Sequence, residues 1–337
     1  MNLVDVTKKF GTEEACINFL ERMRWPDGVE CLKCGGKQVT RYTKQEGTRQ
    51  RLSLKTGQYE TKKVPARILY VCRSCKAQFS ATEGTIFNDT HLDLEKWFLA
   101  VALMVNAKKG VSALQMKRDL KVAYKTAWFL NHRIRKAMGL ADGADNQDPL
   151  AGTVEVDETY IGGKYDKRRK RAKYDKEPVV GMVSRDGKAK TWHVSAVNRF
   201  NVIDKIKDNI SIDAPLICTD DSRLYDRMPG NVQKHEIVNH SAKEWVRGDV
   251  HTCTIDGYWG LLKRGIVGSF HQLSIKHLHR YLSEFQFRWN NREAQDIFVL
   301  VIAALVIGTA LPYKKLIEAM PGETATGPEV SLDEEPF

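Results

Sequence analysis

Two pairs of cysteines constrain the fold of this chain more than any other feature. Cys31 and Cys34 are separated by two residues, as are Cys72 and Cys75, and 37 residues lie between the pairs. Each pair fits a tight turn, and two such turns can close four thiolates tetrahedrally around Zn²⁺. We therefore predict a structural zinc site, because four protein ligands leave no coordination position open for catalysis. The alternative, which the long segment between the pairs keeps open, is two chance pairs of reduced thiols.

The length and charge of the chain indicate a multidomain protein with a polyanionic partner. A single hydrophobic core rarely grows beyond about 300 residues, so 337 residues predict two or three domains. The net charge of +11 favours nucleic acid as the partner, since clustered Lys and Arg release counterions from phosphates. The N-terminus lacks the apolar core of a secretory signal, and the longest apolar run, residues 297–311, is too short to span a membrane. We therefore expect a cytoplasmic, nucleoid-associated protein without membrane contact.

Changes in periodicity divide the chain into four predicted segments. Residues 1–91 combine a leading helix with the paired cysteines of a zinc ribbon, and residues 92–140 have helical periodicity. Residues 150–293 contain three strands, a helix and a fourth strand, which is the order expected of a ribonuclease-H-like sheet. Residues 294–337 contain a buried helix and an acidic tail. The predicted fold class is α/β, with a mixed sheet and flanking helices in a ribonuclease-H-like catalytic domain that follows a zinc ribbon and a helix-turn-helix domain.

The helical segment favours a DNA-binding helix-turn-helix. One helix is predicted to end near Leu120, and a second begins near Tyr124 after a short turn. The second helix carries Lys125, Arg133 and Arg135, which we assign to a basic face that reads DNA. A helical hairpin with a solvated charged face is the alternative.

Three aspartates have the placement expected of a metal site. Asp157 and Asp220 each follow an alternating apolar strand, so both are predicted at strand ends that border a crevice. Asp256 is predicted at the start of a helix, and Lys263 lies two turns later on the same face. Carboxylates from several elements can hold two Mg²⁺ ions, because hard cations prefer oxygen ligands. We therefore predict Asp157, Asp220 and Asp256 as metal-binding catalytic residues, with Lys263 as a catalytic contact to the DNA phosphate.

A strongly basic segment lies between the first two strands of the predicted catalytic domain. Residues 164–176 contain eight basic residues against Asp166 and Asp175, so this segment cannot belong to the core. We predict a phosphate-contacting arm, although a solvated loop would have the same composition. The predicted contacts to nucleic acid in this region and after Asp256 are Lys167, Arg168, Arg169, Lys170, Arg171, Lys263 and Arg264.

Several motifs in the chain are shared with a known group of proteins. The most specific are Val156-Asp157-Glu-Thr-Tyr-Ile-Gly-Gly163, Thr219-Asp220 and Asp256-Gly-Tyr-Trp-Gly-Leu-Leu-Lys-Arg-Gly265. They are accompanied by Cys72-Arg-Ser-Cys75-Lys-Ala-Gln-Phe-Ser80, Gly84-Thr-Ile-Phe87, Lys108-Lys-Gly-Val-Ser112, Thr126-Ala-Trp128 and His251-Thr252. Together they resemble the ISXO2-like insertion-sequence transposases, a group within the DDE superfamily. The resemblance runs from the zinc-ribbon cysteines to about residue 292.

The resemblance implies specific roles for the acids. It implies that Asp157 and Asp220 are the first two catalytic acids. The third position in the family usually lies in a Glu-Gly-Phe-Trp-like stretch. Here that position is occupied by Asp256, whose side chain is one methylene shorter than that of Glu.

The predicted function is that of an insertion-sequence DNA transposase. Two Mg²⁺ (or Mn²⁺) ions would activate water or a freed 3′-hydroxyl and stabilise the leaving 3′-oxygen. The expected partners are double-stranded DNA, as inverted-repeat ends and as target, and further copies of the chain in a homodimer or larger synaptic assembly. Two alternatives remain at this point: a transposase-derived DNA-binding regulator without catalysis, and a structure-specific nuclease with the same fold.

Overall fold

The computed structural model describes residues 1–52, 57–64, 66–143, 148–162, 176–226, 228, 233–271 and 273–318. The predicted phosphate contacts at residues 167–171 and the acidic residues 319–337 lie outside these described residues. The described residues form a mixed α/β structure, as the sequence predicts.

Two helices and a small sheet form the N-terminal part of the chain. Helices α1 (Leu3–Lys9) and α2 (Glu13–Arg24) precede strands β1 (Val39–Lys44), β2 (Gly47–Leu52), β3 (Tyr59–Val64), β4 (Arg67–Cys72) and β5 (Gln78–Phe79). Strand β4 pairs antiparallel with β1 and β5, whereas β2 and β3 form a separate hairpin. The segment between the cysteine pairs is therefore folded largely as strands, which return the chain to the first pair.

The four cysteines lie together as their spacing predicts. Their Sγ atoms are all within 4.8 Å of one another, with 3.6 Å between Cys31 and Cys75 and between Cys34 and Cys72. Tetrahedral Zn²⁺ with Zn–S bonds of about 2.3 Å places its sulfurs about 3.8 Å apart, so this tetrad fits structural zinc. The backbone N–H groups of Cys75 and Ser74 lower the pKa of the Cys72 thiol to about 6, whereas the neighbouring Cys75 and Cys72 raise the pKa of the Cys34 thiol.

Helices surround the core next to the cysteine tetrad. Helices α3 (Leu94–Asn106), α4 (Ala113–Leu120) and α5 (Tyr124–Ala141) follow the small sheet, and Lys121 ends α4 in the left-handed conformation, with φ of 52°. Helix α9 (Ile297–Ile307) packs against α2, α3 and α5, and α10 (Tyr313–Ile317) follows it. The apolar run at residues 297–311 is thus largely a core helix, and every helix in the described part of the chain is too short or too polar to cross a membrane.

The second half of the chain is built on a mixed five-stranded sheet. Its strands are β6 (Thr153–Ile161), β7 (Glu177–Ser184), β8 (Ala189–His193), β9 (Leu216–Thr219) and β10 (His235–Ile237), in the order β10-β9-β6-β7-β8. Strands β6, β7 and β8 form an antiparallel meander, whereas β9 is parallel to β6 and β10 is parallel to β9. The sequence predicts the first four strands in this order but not β10, because three residues carry too little alternation.

Helices cover both faces of this sheet. Helix α6 (Arg199–Asn209) packs on one face, where its Val202 and Ile206 belong to one buried apolar cluster with Val154, Val156 and Val180. Helices α7 (Cys253–Gly265) and α8 (Ile275–Asn290) pack on the other face through Ile255, Leu262 and Leu278. A two-stranded hairpin, β11 (Val246–Arg247) and β12 (Val250–His251), leads into α7. Because successive strand residues alternate between faces, Glu155 and Asp157 of β6 are on the α7 face.

A buried ion-pair cluster joins the N-terminal helices to α8. Arg135 is 2% exposed and donates from Nε to Oε2 of Glu284 at 2.6 Å. Arg288 pairs with the same carboxylate and donates to the backbone oxygen of Met104 in α3. The prediction that Arg135 belongs to an exposed basic face is therefore corrected, because its charge is used to neutralise a buried glutamate.

The prediction that Arg133 lies on the DNA-reading face is also corrected. It is 5% exposed and donates to the backbone oxygen of Asn88. Its guanidinium lies over the rings of Trp97 and Phe129, with 5.4 Å and 4.8 Å to the ring centroids. Of the three basic residues predicted on the face of α5, only Lys125 is exposed.

The cysteine tetrad predicts a zinc-dependent N-terminal fold. Replacing Cys72 by Ser removes one of four ligands, so we expect the protein to lose its zinc and to melt at a lower temperature, since structural zinc contributes folding free energy directly. Elemental analysis by mass spectrometry and thermal melts measure both effects. Cys253→Ser is the matched control, because this exposed cysteine is not part of the tetrad. Full zinc content in the Cys72→Ser variant would contradict the assignment.

Candidate active site

The register of two parallel strands places Asp157 next to Asp220. In the pairing of β6 with β9, Thr153 lies opposite Leu216 and Glu155 opposite Cys218. Continued by two residues, this register brings Asp157 level with Asp220, the residue that follows β9. The sequence predicts Asp157 at the end of its strand, but β6 continues to Ile161. Strand β9, in contrast, ends at Thr219, so Asp220 directly follows a strand end beside the continuing β6.

Asp256 is the third acid at this position. It lies in the first turn of α7, as predicted, and α7 packs on β6 and β7. Its charge contributes to raising the pKa of both Asp157 and Asp220, so the three carboxylates are close enough to interact. The structure thus brings the three predicted metal-binding acids together from two strands and a helix.

Burial and mutual repulsion dominate the electrostatics of the site. Loss of solvation, followed by the charges of Glu158, Asp220 and Asp256, raises the pKa of Asp157 to about 7. Burial and the charges of Asp221 and Asp256 raise the pKa of Asp220, although a hydrogen bond from Ser222 N–H and the charge of His240 oppose this shift. Burial and the neighbouring carboxylates both disfavour the ionised form of these acids. A cation bound between them would therefore be electrostatically favourable.

Each acid is also oriented by one hydrogen bond. Trp259 of α7 donates from Nε1 to Oδ2 of Asp157 at 2.9 Å. The Ser222 backbone N–H donates to Oδ1 of Asp220 at 3.1 Å, and the Thr252 hydroxyl donates to Oδ2 of Asp256 at 3.4 Å. Trp259 is a core residue and is 3% exposed. Its role in holding Asp157 follows only from the three-dimensional structure.

A glycine opposite Asp157 makes room for this tryptophan. Gly181 of β7 pairs with Asp157 of β6. A Cβ atom at Gly181 would lie 2.5 Å from both Cη2 and Cζ2 of Trp259. The indole ring can therefore lie against β7 and reach the Asp157 carboxylate only because residue 181 has no side chain.

Charged residues that lie close to the three acids in the sequence have different positions in the structure. Lys263 and Arg264 are exposed near the end of α7. Glu158 points to the opposite face of β6, where it accepts a hydrogen bond from the Tyr225 hydroxyl at 2.7 Å. Asp221 accepts a hydrogen bond from the Ser241 hydroxyl at 2.9 Å. The sequence does not single out Glu155, a buried acid two residues before Asp157 and on the same face.

Comparison with known proteins finds family matches for two parts of the chain. Residues 11–78 match the transposase zinc-ribbon domain, and residues 149–290 match the ISXO2-like transposase domain. The chain carries an ISXO2-like transposase domain. This confirms the group that the sequence motifs indicate, and it implies DNA binding and phosphoryl transfer. The chain is also 29% identical over 304 residues to an uncharacterized protein in transposable element ISH50 of Halobacterium salinarum, a match that covers 83% of this chain and 92% of that protein.

Filling the space at Gly181 should disturb the transposase domain. We expect Gly181→Ala to lower the free energy of unfolding by about 1–3 kcal/mol, the usual cost of overpacking a core. Denaturant unfolding measures the loss, and tryptophan fluorescence reports displacement of Trp259. Gly257→Ala is the control, because a Cβ there meets no atom within 4 Å and alanine favours a helix. Equal stability of wild type and Gly181→Ala would show that the strand can move to admit a methyl group.

Because the pKa of Asp157 is raised in the folded state, we predict that this acid lowers the free energy of unfolding of the Mg²⁺-free protein in a pH-dependent way. The folded state holds the proton up to about pH 7, whereas the usual pKa is 3.8. The stability linked to this proton is complete below pH 3.8 and is lost as the pH rises to 7. We therefore expect Asp157→Asn to stabilise the Mg²⁺-free protein most above pH 7 and progressively less toward pH 4. Melts across this range test the prediction, and a gain that did not vary with pH would contradict it.

Proposed function

We propose that this protein is an insertion-sequence DNA transposase that cleaves and joins DNA strands through a two-metal carboxylate site in a ribonuclease-H-like domain. The observation that carries the proposal is the convergence of Asp157, Asp220 and Asp256 from β6, the end of β9 and the start of α7. The ISXO2-like transposase domain agrees with this chemistry. The sheet order, with a three-stranded meander followed by two parallel strands, supports the ribonuclease-H-like assignment.

The three carboxylates fit divalent metal ions in chemistry and charge. They supply oxygen ligands, which Mg²⁺ and Mn²⁺ prefer, and a bound cation would relieve the repulsion that raises the pKa of Asp157. Two divalent ions about 3.5–4 Å apart need carboxylates from several elements, and these three come from β6, the residue after β9 and the first turn of α7. When bound, the ions supply activation of the attacking oxygen and stabilisation of the leaving 3′-oxygen.

The side chains around the acids have proposed roles in binding DNA. Lys263, two turns after Asp256 on α7, contacts a phosphate near the scissile bond, and Arg264 extends this contact. Next to Asp220, the ring of His240 packs against that of Trp245 in a tilted arrangement, with 4.7 Å between ring centroids, and Trp245 is 60% exposed. An exposed aromatic ring beside the acids supports a nucleic-acid substrate, because bases stack on such rings.

The N-terminal half is proposed to recognise the ends of the element. Helices α4 and α5, joined by the sharp turn at Lys121, have the arrangement of a helix-turn-helix, and Lys125 is exposed at the start of the second helix. The zinc module packs next to these helices and supports their position. Two DNA ends must be joined to one target, so we propose that a homodimer or a larger assembly is the active form.

A strand-transfer assay with pre-cut inverted-repeat DNA tests the proposed function. Wild type should join ends in Mg²⁺, and Asp157→Asn, Asp220→Asn and Asp256→Asn should each reduce the rate more than about a hundredfold, since loss of a ligand should exceed the effect of losing its supporting partners. All three should still bind DNA. Asp221→Asn is the control, because this neighbouring acid is paired with Ser241 and should retain activity.

The same assay separates the alternatives. DNA binding by wild type without Mg²⁺-dependent cleavage would identify a DNA-binding regulator. Cleavage without joining would identify a structure-specific nuclease. Full activity of the Asp256→Asn variant would remove this residue from the site and leave Asp157 and Asp220 to be completed by another acid.

A further inference from the structure

A second acid on β6 holds the helix that carries Asp256. Glu155 is fully buried and lies two residues before Asp157, on the same face of the strand. Its Oε2 accepts hydrogen bonds from the backbone N–H groups of Thr254 and Ile255 at 2.8 and 3.0 Å. Its Oε1 accepts from the Thr254 hydroxyl at 2.9 Å. One carboxylate of the sheet therefore binds the first turn of α7 at three points.

Helix α7 depends on this contact because its own cap is incomplete. Thr252, the residue before the helix, makes no capping bond with its side chain, and instead contacts Asp256. The first N–H groups of a helix have no partners within the helix and carry partial positive charge. The Glu155 carboxylate satisfies two of them with charge-assisted hydrogen bonds, which are stronger than those of a neutral cap.

A basic residue compensates the buried charge of Glu155 and ties it to the chain before α7. Arg185 donates from Nε to Glu155 Oε1 at 2.9 Å. The same guanidinium donates to the backbone oxygens of Asp249 and His251 at 2.7 and 3.2 Å. The β11–β12 hairpin, the start of α7 and strand β6 thus share one network centred on Glu155.

Contacts of this network lie on both sides of Asp256 along α7. Glu155 fixes α7 to β6 at residues 254 and 255, immediately before Asp256. Trp259 fixes α7 to β6 again three residues after Asp256, through its hydrogen bond to Asp157. Asp256 therefore lies between two contacts that both end on β6, the strand that carries Asp157.

We propose that Glu155 is a positioning residue that sets the location of Asp256 relative to Asp157, and thereby the affinity of the site for divalent metal. This inference rests on the proposed two-metal function. A cap whose only role is helix stability needs no buried charge, because a neutral Ser or Thr side chain satisfies the same N–H groups. A buried carboxylate with several partners defines a position as well as an interaction.

Metal binding by the folded protein tests this role without requiring DNA chemistry. Glu155→Gln keeps the shape of the side chain but presents an amide group to donors, and Thr254→Val removes only the hydroxyl contact. Glu284→Gln is the matched control, because Glu284 is also fully buried and is paired with two arginines, but in the cluster that joins α5 to α8. Mn²⁺ binding to zinc-loaded protein is measured by calorimetry, with Asp157→Asn as the reference for loss of the site, and melting temperatures and metal-free DNA binding are measured in parallel.

We expect Glu155→Gln to weaken Mn²⁺ binding at least about tenfold, the usual effect of removing a partner behind metal ligands, while DNA binding is retained. Thr254→Val should weaken it less, in the same direction. Glu284→Gln should lower the melting temperature at least as much and leave Mn²⁺ affinity unchanged. The inference is overturned if Glu155→Gln binds Mn²⁺ like wild type, or if Glu284→Gln weakens binding equally. Metal binding that depends on Asp157 and Glu155 without any strand transfer would contradict the proposed function and leave this inference intact.

Discussion

The parallel pairing of β6 with β9 is the constraint on which the candidate site depends. Parallel strands carry equivalent residues side by side on the same face, so the register that places Glu155 opposite Cys218 also brings Asp157 level with Asp220. A shift by one residue would turn one acid to the other face. The α6 crossover between β8 and β9 fixes that register, because Val202 and Ile206 are buried against β6 and β7. The positions of two acids are therefore set by packing on the opposite face of the sheet.

Buried charge serves two separate purposes in this fold. The Arg135, Glu284 and Arg288 cluster joins α3, α5 and α8, so the helices beside the zinc module are bound to the sheet domain by ion pairs as well as by apolar contacts. The Glu155 and Arg185 pair lies instead between the sheet and the start of α7. Removing one partner from either cluster leaves an uncompensated charge in the interior. The first cluster holds two parts of the chain together, and the second holds the elements of one site.

The sequence predicts the elements of this fold better than the contacts between them. The cysteine tetrad and the chain order of β6, β7, β8 and β9 follow from local spacing and alternation, which depend only on neighbouring residues. The burial of Arg133 and Arg135 does not, because a basic residue on a helix is normally solvated and only α8 and the aromatic rings around α5 make burial favourable here. The role of Glu155 does not follow from local patterns either, because its partners lie 30 residues later at Arg185 and about 100 residues later at Thr254 and Ile255. The pattern that could have revealed it is a charged residue at an otherwise buried strand position.

The close packing of α7 against the sheet matters because the side chain of Asp256 is short. An aspartate reaches one methylene less far than the glutamate usual at this position of the family, so its carboxylate can share metal ions with Asp157 only if the helix backbone lies close to the strands. Two features produce that approach. Gly181 removes the side chain that would hold the Trp259 ring away from β7, and Glu155 binds directly to the helix backbone rather than to a projecting side chain. Enlarging residue 181 or neutralising residue 155 should therefore change the same distance, that between Asp256 and Asp157. The first acts through Trp259, after Asp256 in α7, and the second through Thr254 and Ile255, before it.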